Sequence, residues 1–189
     1  MTKYESQQNN WQAAITKRRN KGATLTEMLL VMGIIAGILV TVFVTYQLTE
    51  DSRKSTEAMQ ELASIQSKIR NLYSGQSNYN GIGNSSVIKM LPSTMVNGSS
   101  VLNAFQGVVT IAAADGGGGS NSGFSIKYDN IPMEGCIDLA TSDLGPSVYT
   151  IKVNTTTKSL GSGDELPFNP GNASTACSSE VNSLTWIFR

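Results

Sequence analysis

Few side chains in this 189-residue chain could do chemistry. It contains no histidine, which removes Ser–His and Cys–His nucleophilic catalysis and histidine metal ligation together. The two cysteines, Cys136 and Cys177, cannot build an ordinary zinc site without histidine. In an oxidising compartment such a pair reads as a disulfide, and in a reducing one as two core thiols. Asp164 and Glu165 are adjacent carboxylates, but in a Gly/Ser-rich loop they read as solvated charges, not as an acid–base pair. The glycine run at 116–119 lacks the Lys-Ser/Thr and the following helix of a phosphate-cradling loop, and reads as a hairpin tip. No metal, no cofactor and no enzyme activity are implied. One acid remains to be explained: Glu27, at the head of an apolar run.

That run, residues 28–46, is 19 residues long and carries no charge. As a helix it would span roughly 28 Å, close to the hydrocarbon thickness of a bilayer. Lys17, Arg18, Arg19 and Lys21 lie just before it. Positive charge stays on the cytoplasmic side, so residues 1–22 are expected inside and residues 47–189 exported. A carboxylate one turn into such a segment costs a few kcal/mol. Either Glu27 sits at headgroup level and marks the helix start, or it serves a partner.

The surroundings of Glu27 favour a partner. Lys21-Gly22 followed by Ala-Thr-Leu-Thr-Glu-Met-Leu-Leu-Val-Met-Gly-Ile-Ile resembles the class III signal of type IV prepilins. In that family a membrane aspartyl peptidase cuts after the glycine, and the fifth residue of the mature chain is a glutamate. The resemblance implies cleavage between Gly22 and Ala23, with Glu27 as that glutamate. Ala23 departs from the family, whose mature chains begin with Phe or, in many type IVb members, with Met, Leu or Trp. The departure bears on methylation of the new amine, not on the cut.

Removing residues 1–22 changes the charge balance. The formal net charge is zero, but five basic residues (Lys3, Lys17, Arg18, Arg19, Lys21) precede the cut against one acid, Glu5. The remainder is acidic, a poor match for nucleic acid, which wants a basic stripe. The leader is polar and lacks the apolar core of an ordinary secretory signal.

From Ala23 a helical pattern runs to about Ser74. Gly33 and Gly37 are four apart, with Thr41 continuing the spacing. This is a small-residue groove that admits a neighbouring helix, or the ordinary composition of a membrane helix. Beyond Tyr46 the pattern turns amphipathic: Ser55, Ala58, Leu62, Ile65, Ile69 and Leu72 form one stripe. Glu57, Glu61 and Arg70 are expected on the wet side, and Gly75 is expected to close the helix in a left-handed conformation. A helix over 23–74 would be roughly 78 Å long. A domain of this size cannot bury that length, so the apolar half must lie in lipid or in a partner.

A loop is expected from there to about Val101, with a short helix near Val87 to Leu91 stopped by Pro92. The residues from Gly107 to Ala113 read as a strand. A flexible glycine-rich turn follows, and Phe124, Ile126 and Tyr128 alternate beyond it. The pattern next gives a short helix within 132–144 containing Cys136. Tyr149, Ile151 and Val153 form a strand face, 154–170 is turn-rich, and Leu184, Trp186 and Phe188 alternate in a last strand, with Trp186 as a core anchor. Strands after a long helix without βαβ alternation define an α+β domain with an antiparallel sheet.

Two further stretches carry the resemblance. Leu72-Tyr73-Ser74-Gly75-Gln76 is similar to the helix-end segment of bundle-forming pilins. Cys-Ile-Asp-Leu-Ala-Thr-x-x-Leu-Gly, from Cys136 to Gly145, is similar to the start of their disulfide-bounded region. Together these imply the type IVb pilin fold, a protruding N-terminal α-helix laid across a twisted antiparallel β-sheet, and within that group the chain looks most like PilS-type pilins of thin pili.

The implied organisation is a leader (1–22), a transmembrane and filament-core helix half (23–47), and a globular head (48–189) with a region bounded by Cys136 and Cys177. The implied role is the major subunit of a surface filament. The implied partners are copies of itself, the prepilin peptidase, the inner membrane before assembly, and a receptor on a host or recipient cell. The implied assembly residues are Ala23, Glu27, Gly33 and Gly37. A minor pilin or secretion pseudopilin would share the N-terminal logic but be scarce in sheared filaments. An adhesin module would bind cells through its head alone.

Overall fold

A computed structural model describes residues 24–189. The chain divides into two units, Met1–Tyr46 and Gln47–Arg189. The cleavage junction expected at Gly22 and Ala23 lies outside the described residues.

The first helix, α1, is assigned over Leu25–Leu72. Its start is dictated locally. Thr24 accepts a hydrogen bond from the Glu27 backbone N–H through its hydroxyl (3.3 Å) and from that of Met28 through its carbonyl (3.1 Å), the arrangement of a threonine N-cap. Glu27 in the first turn complements the positive end of the helix dipole.

Within the second unit the stripe of α1 is buried as its spacing requires. Ser55, Ala58, Leu62, Ile65 and Ile69 are covered, and each large aliphatic contributes about 1.5–3 kcal/mol of burial. Leu72, the expected last member, is 45% exposed because the helix ends on it. Gly75 does not close it in a left-handed conformation. The chain leaves through overlapping turns (Ser74 N–H to Asn71 O, Gln76 N–H to Tyr73 O), and the first left-handed glycine is Gly81 at φ 77°.

Two charged residues expected on the wet side are not there. Glu61 is half-buried and accepts from the Ala104 N–H at 3.0 Å. Arg70 donates through Nη2 to the main-chain oxygen of Arg189 at 2.6 Å. Only Glu57 of the three is exposed.

The sheet has seven antiparallel strands: β1 (Val96–Asn97), β2 (Ser100–Leu102), β3 (Val108–Ala114), β4 (Gly123–Ile131), β5 (Val148–Val153), β6 (Thr156–Ser159) and β7 (Asn182–Phe188). Their spatial order is β1-β2-β3-β4-β7-β5-β6, so the last strand enters at the centre. Register places Ile126 beside Trp186 and Trp186 beside Ile151, a fully apolar row on the core face. Tyr128 packs edge-on against Trp186 (5.4 Å) and its hydroxyl donates to the Ala58 carbonyl (3.5 Å), joining sheet to helix. A second aromatic chain, Tyr73–Tyr79–Phe124–Phe188, ties the helix end to the same sheet with centroids 5.0–5.3 Å apart.

Several elements differ from expectation. Strands β1 and β2 lie inside the expected loop, folded about Gly98 at φ 62°. The short helix α2 starts earlier, at Asn84–Val87, and continues as a 3-10 turn over Ile88–Met90. Strand β6 and helix α4 (Pro170–Ala176) occupy the stretch expected to be turns and chain return. Helix α3 spans Met133–Thr141. Tyr149 is not on the core face: a register shift between Val148 and Thr150 turns Val148, Ile151 and Val153 inward instead.

The glycine tip is organised. Asp115 Oδ1 accepts from the N–H groups of Gly117 (2.8 Å) and Gly119 (3.1 Å), and Ser122 Oγ accepts from Gly116 (2.9 Å) and Gly118 (3.1 Å). Those backbone donors hold the Asp115 carboxyl below its ordinary range.

Candidate functional site

The first site is the apolar half of α1. Leu25–Phe43 is long and apolar enough to cross a membrane, and its side chains are exposed in the isolated chain. Bulky aliphatics on all sides, Leu29, Leu30, Val31, Ile34, Ile35, Ile38 and Leu39 among them, leave no polar face. Water is a poor solvent for such a surface; it needs lipid or other helices. Gly33 and Gly37 lie one turn apart, and a Cβ built at either would meet nothing within 4 Å. Thr41 follows one turn later, its hydroxyl donating to the Gly37 carbonyl at 3.0 Å. The three therefore line one small-residue face of an exposed helix. Glu27 is exposed at the N-terminal end and forms no ion pair with another described residue.

The second site is the region between the cysteines. Cys136 on α3 and Cys177, which caps the C-terminus of α4, form a disulfide with 5.9 Å between Cα atoms. Both are fully buried. Gly135 before the bond has no room for a side chain, since a Cβ there would lie 2.7 Å from the Phe105 ring. Within the bounded stretch, Leu144, Pro146, Val148, Ile151, Leu160 and Leu166 line an open cleft of about 330 Å³.

The carboxylates expected to be solvated divide. Asp164 is half-buried and accepts from the Ser159 N–H through Oδ2 at 3.0 Å, closing a turn, while Glu165 is exposed. Glu61 was missed as a buried group. Its position was readable, three residues past Ala58 and four before Ile65, on the edge of the apolar stripe.

A long helix with an amphipathic second half, packed on an antiparallel sheet whose last strand enters centrally, is the fold of type IV pilins. The chain superposes on a type IVb pilin from Salmonella typhi with a TM-score of 0.54 at 16% identity, covering 68% of this chain and 95% of that one. For a type IV pilin from Vibrio cholerae El Tor the TM-score is 0.51 at 16% identity, covering 72% and 99%. Residues 52–189 match the family described as PilS N terminal. The chain belongs to the PilS family of type IV pilins, whose members are structural subunits and not enzymes. It is 26% identical over 190 aligned positions to the major structural subunit of the bundle-forming pilus of Escherichia coli O127:H6, covering 93% of this chain and 97% of that one. It is 29% identical to the toxin coregulated pilin of Vibrio cholerae, covering 67% and 59%.

Proposed function

We propose that this chain is the major subunit of a type IVb pilus, cut by a prepilin peptidase after Gly22 and polymerised through the apolar half of α1 into a surface filament for adhesion, aggregation or mating contact. Before assembly the subunit waits in the inner membrane with 28–46 in lipid. Cleavage frees the Ala23 amine and removes the cationic leader. The helix then exchanges lipid for copies of itself. Apolar burial changes little in that exchange, so packing at small residues such as Gly33 and Gly37 drives it. A head-to-tail contact that does not close yields an open helical filament.

Glu27 sets the register. In an apolar filament core its charge is tolerable only beside a cation, and the new amine of Ala23 on a neighbouring subunit supplies one. A subunit out of register leaves a buried charge unpaired, at a cost of several kcal/mol. The observation that carries the reading is an exposed, all-round apolar helix half with one acid at its tip, in a family of pilins.

The test is Glu27→Ala in the producing cell. Membrane insertion and leader removal are expected to persist while incorporation into filaments is lost. Normal piliation by that variant refutes the role of Glu27.

A further inference from the structure

Two asparagines in the chain are followed directly by glycine, Asn80 and Asn97. The next main-chain nitrogen can attack an asparagine carboxamide, and it does so most readily in glycine, which has no side chain to hinder the approach. The attack needs an exposed carboxamide, a following N–H outside any hydrogen bond, and a peptide plane free to turn. At the other asparagines of the described residues the carboxamide or the following N–H is engaged. After Asn121, for example, the Ser122 N–H donates to the Gly119 carbonyl at 3.1 Å. After Asn182, the Ser183 N–H donates to Asn154 Oδ1 at 2.9 Å.

Asn80 meets every condition. Asn80 and Gly81 are both exposed, and among the described residues neither the Asn80 carboxamide nor the Gly81 N–H has a hydrogen-bond partner. Tyr79 to Ile82 form a turn in which the Ile82 N–H donates to the Tyr79 carbonyl at 3.3 Å and Gly81 takes φ 77°. This is the type II arrangement, whose central peptide bonds to nothing within the turn, and glycine accepts either sign of φ when that peptide rotates. The Asn80 carbonyl is held only by the Tyr73 hydroxyl, at 3.4 Å. Asn97 is exposed too, but it is clamped. It pairs with Ser100 across a tight turn at Gly98-Ser99, and in such a hairpin the flanking pair exchanges main-chain bonds that fix the peptide between Asn97 and Gly98.

We propose that Asn80 is a self-modifying site in the loop after α1, where the chain converts its own carboxamide to a carboxylate with water as the only co-reactant. The Gly81 nitrogen, deprotonated by hydroxide, attacks Asn80 Cγ. A C–N bond forms, a cyclic imide closes, and the side-chain nitrogen leaves as ammonia, taking protons from solvent. Water then adds to one imide carbonyl and breaks its bond to the Gly81 nitrogen. Opening at the former side-chain carbonyl gives aspartate. Opening at the former main-chain carbonyl gives isoaspartate, which routes the main chain through the side chain and lengthens it by a methylene. Nothing is oxidised or reduced. Each product adds a negative charge, and the longer one is inserted between fixed points: the Tyr79 ring packs on Tyr73 (5.3 Å) and Phe124 (5.0 Å), and Ile82 is buried.

The test is incubation of the full chain in detergent micelles, in heavy-oxygen water at mildly alkaline pH, followed by tryptic mass spectrometry. Trypsin places Asn80 in the peptide Asn71–Lys89 and Asn97 in Met90–Lys127. In the folded chain Asn80 is expected to be converted about tenfold faster than Asn97, the difference that one or two main-chain hydrogen bonds make. Chain unfolded in denaturant should convert both at similar rates, since each is an Asn-Gly pair. Asn80→Ser should abolish the label in Asn71–Lys89 and leave Met90–Lys127 unchanged. An unlabelled Asn80, an Asn97 that reacts as fast in the folded chain, or a label that survives Asn80→Ser each overturns the assignment.

Discussion

Gly107 has no side chain because there is no space for one: a Cβ there would run into the Asp129 carbonyl. Its own carbonyl accepts from the Asn103 N–H at 2.9 Å, so the loop cannot easily retreat. Gly107→Ala is expected to destabilise the head by about 1–3 kcal/mol, the usual cost of overpacking, measurable by chemical denaturation. An unchanged midpoint would mean that the β2–β3 loop adjusts freely. Nothing in the sequence marks this position, since Gly107 reads as the first residue of a strand and Asp129 becomes its neighbour only once β3 and β4 are in register. Glu61 and Arg70 were misplaced for a related reason. A 3,4 spacing finds the centre of a buried stripe, but the covered arc is wider, and what covers its edges comes from residues 104 and 189.

Elements whose pattern is local were legible, and elements defined by distant partners were not. The amphipathic half of α1 and the alternation of Leu184, Trp186 and Phe188 follow from period alone, and all but Leu72 are buried as expected. The position of β7 between β4 and β5 does not, because strand order is a tertiary property. Helix α4 was missed although Asn169 caps it, accepting from the Asn172 N–H at 2.9 Å, with Pro170 at its first position. Its sequence is short, small and polar, so the start signal had no apolar period to introduce. The disulfide compensates for that weak helix by fastening its end to α3. Closing a loop with a separation of 41 residues removes about 4 kcal/mol of unfolded-state entropy in the chain-entropy model. Cys136→Ser is therefore expected to lower stability by about 2–5 kcal/mol and to open the 142–176 stretch to limited proteolysis. Undiminished protease resistance would show that α3 and α4 hold together without the bond.

At the scale of the whole molecule, two halves of one chain answer to different solvents. The head satisfies its apolar surface internally, with Trp186, Tyr128 and Phe124 at its centre. The residues from Leu25 to Phe43 cannot do so. The uncharged run of 19 residues that distinguishes the two was readable from the sequence. The assembly role proposed for it rests on the short motif around Gly22 and Glu27, not on the run itself, which any membrane anchor would share. Mass spectrometry of the chain's N-terminus in filaments sheared from the cell surface joins the two most directly. Polymer built of chains that begin at Ala23 is the predicted result. Protein on the cell exterior that still carries Met1 to Gly22, with no filament present, would contradict it.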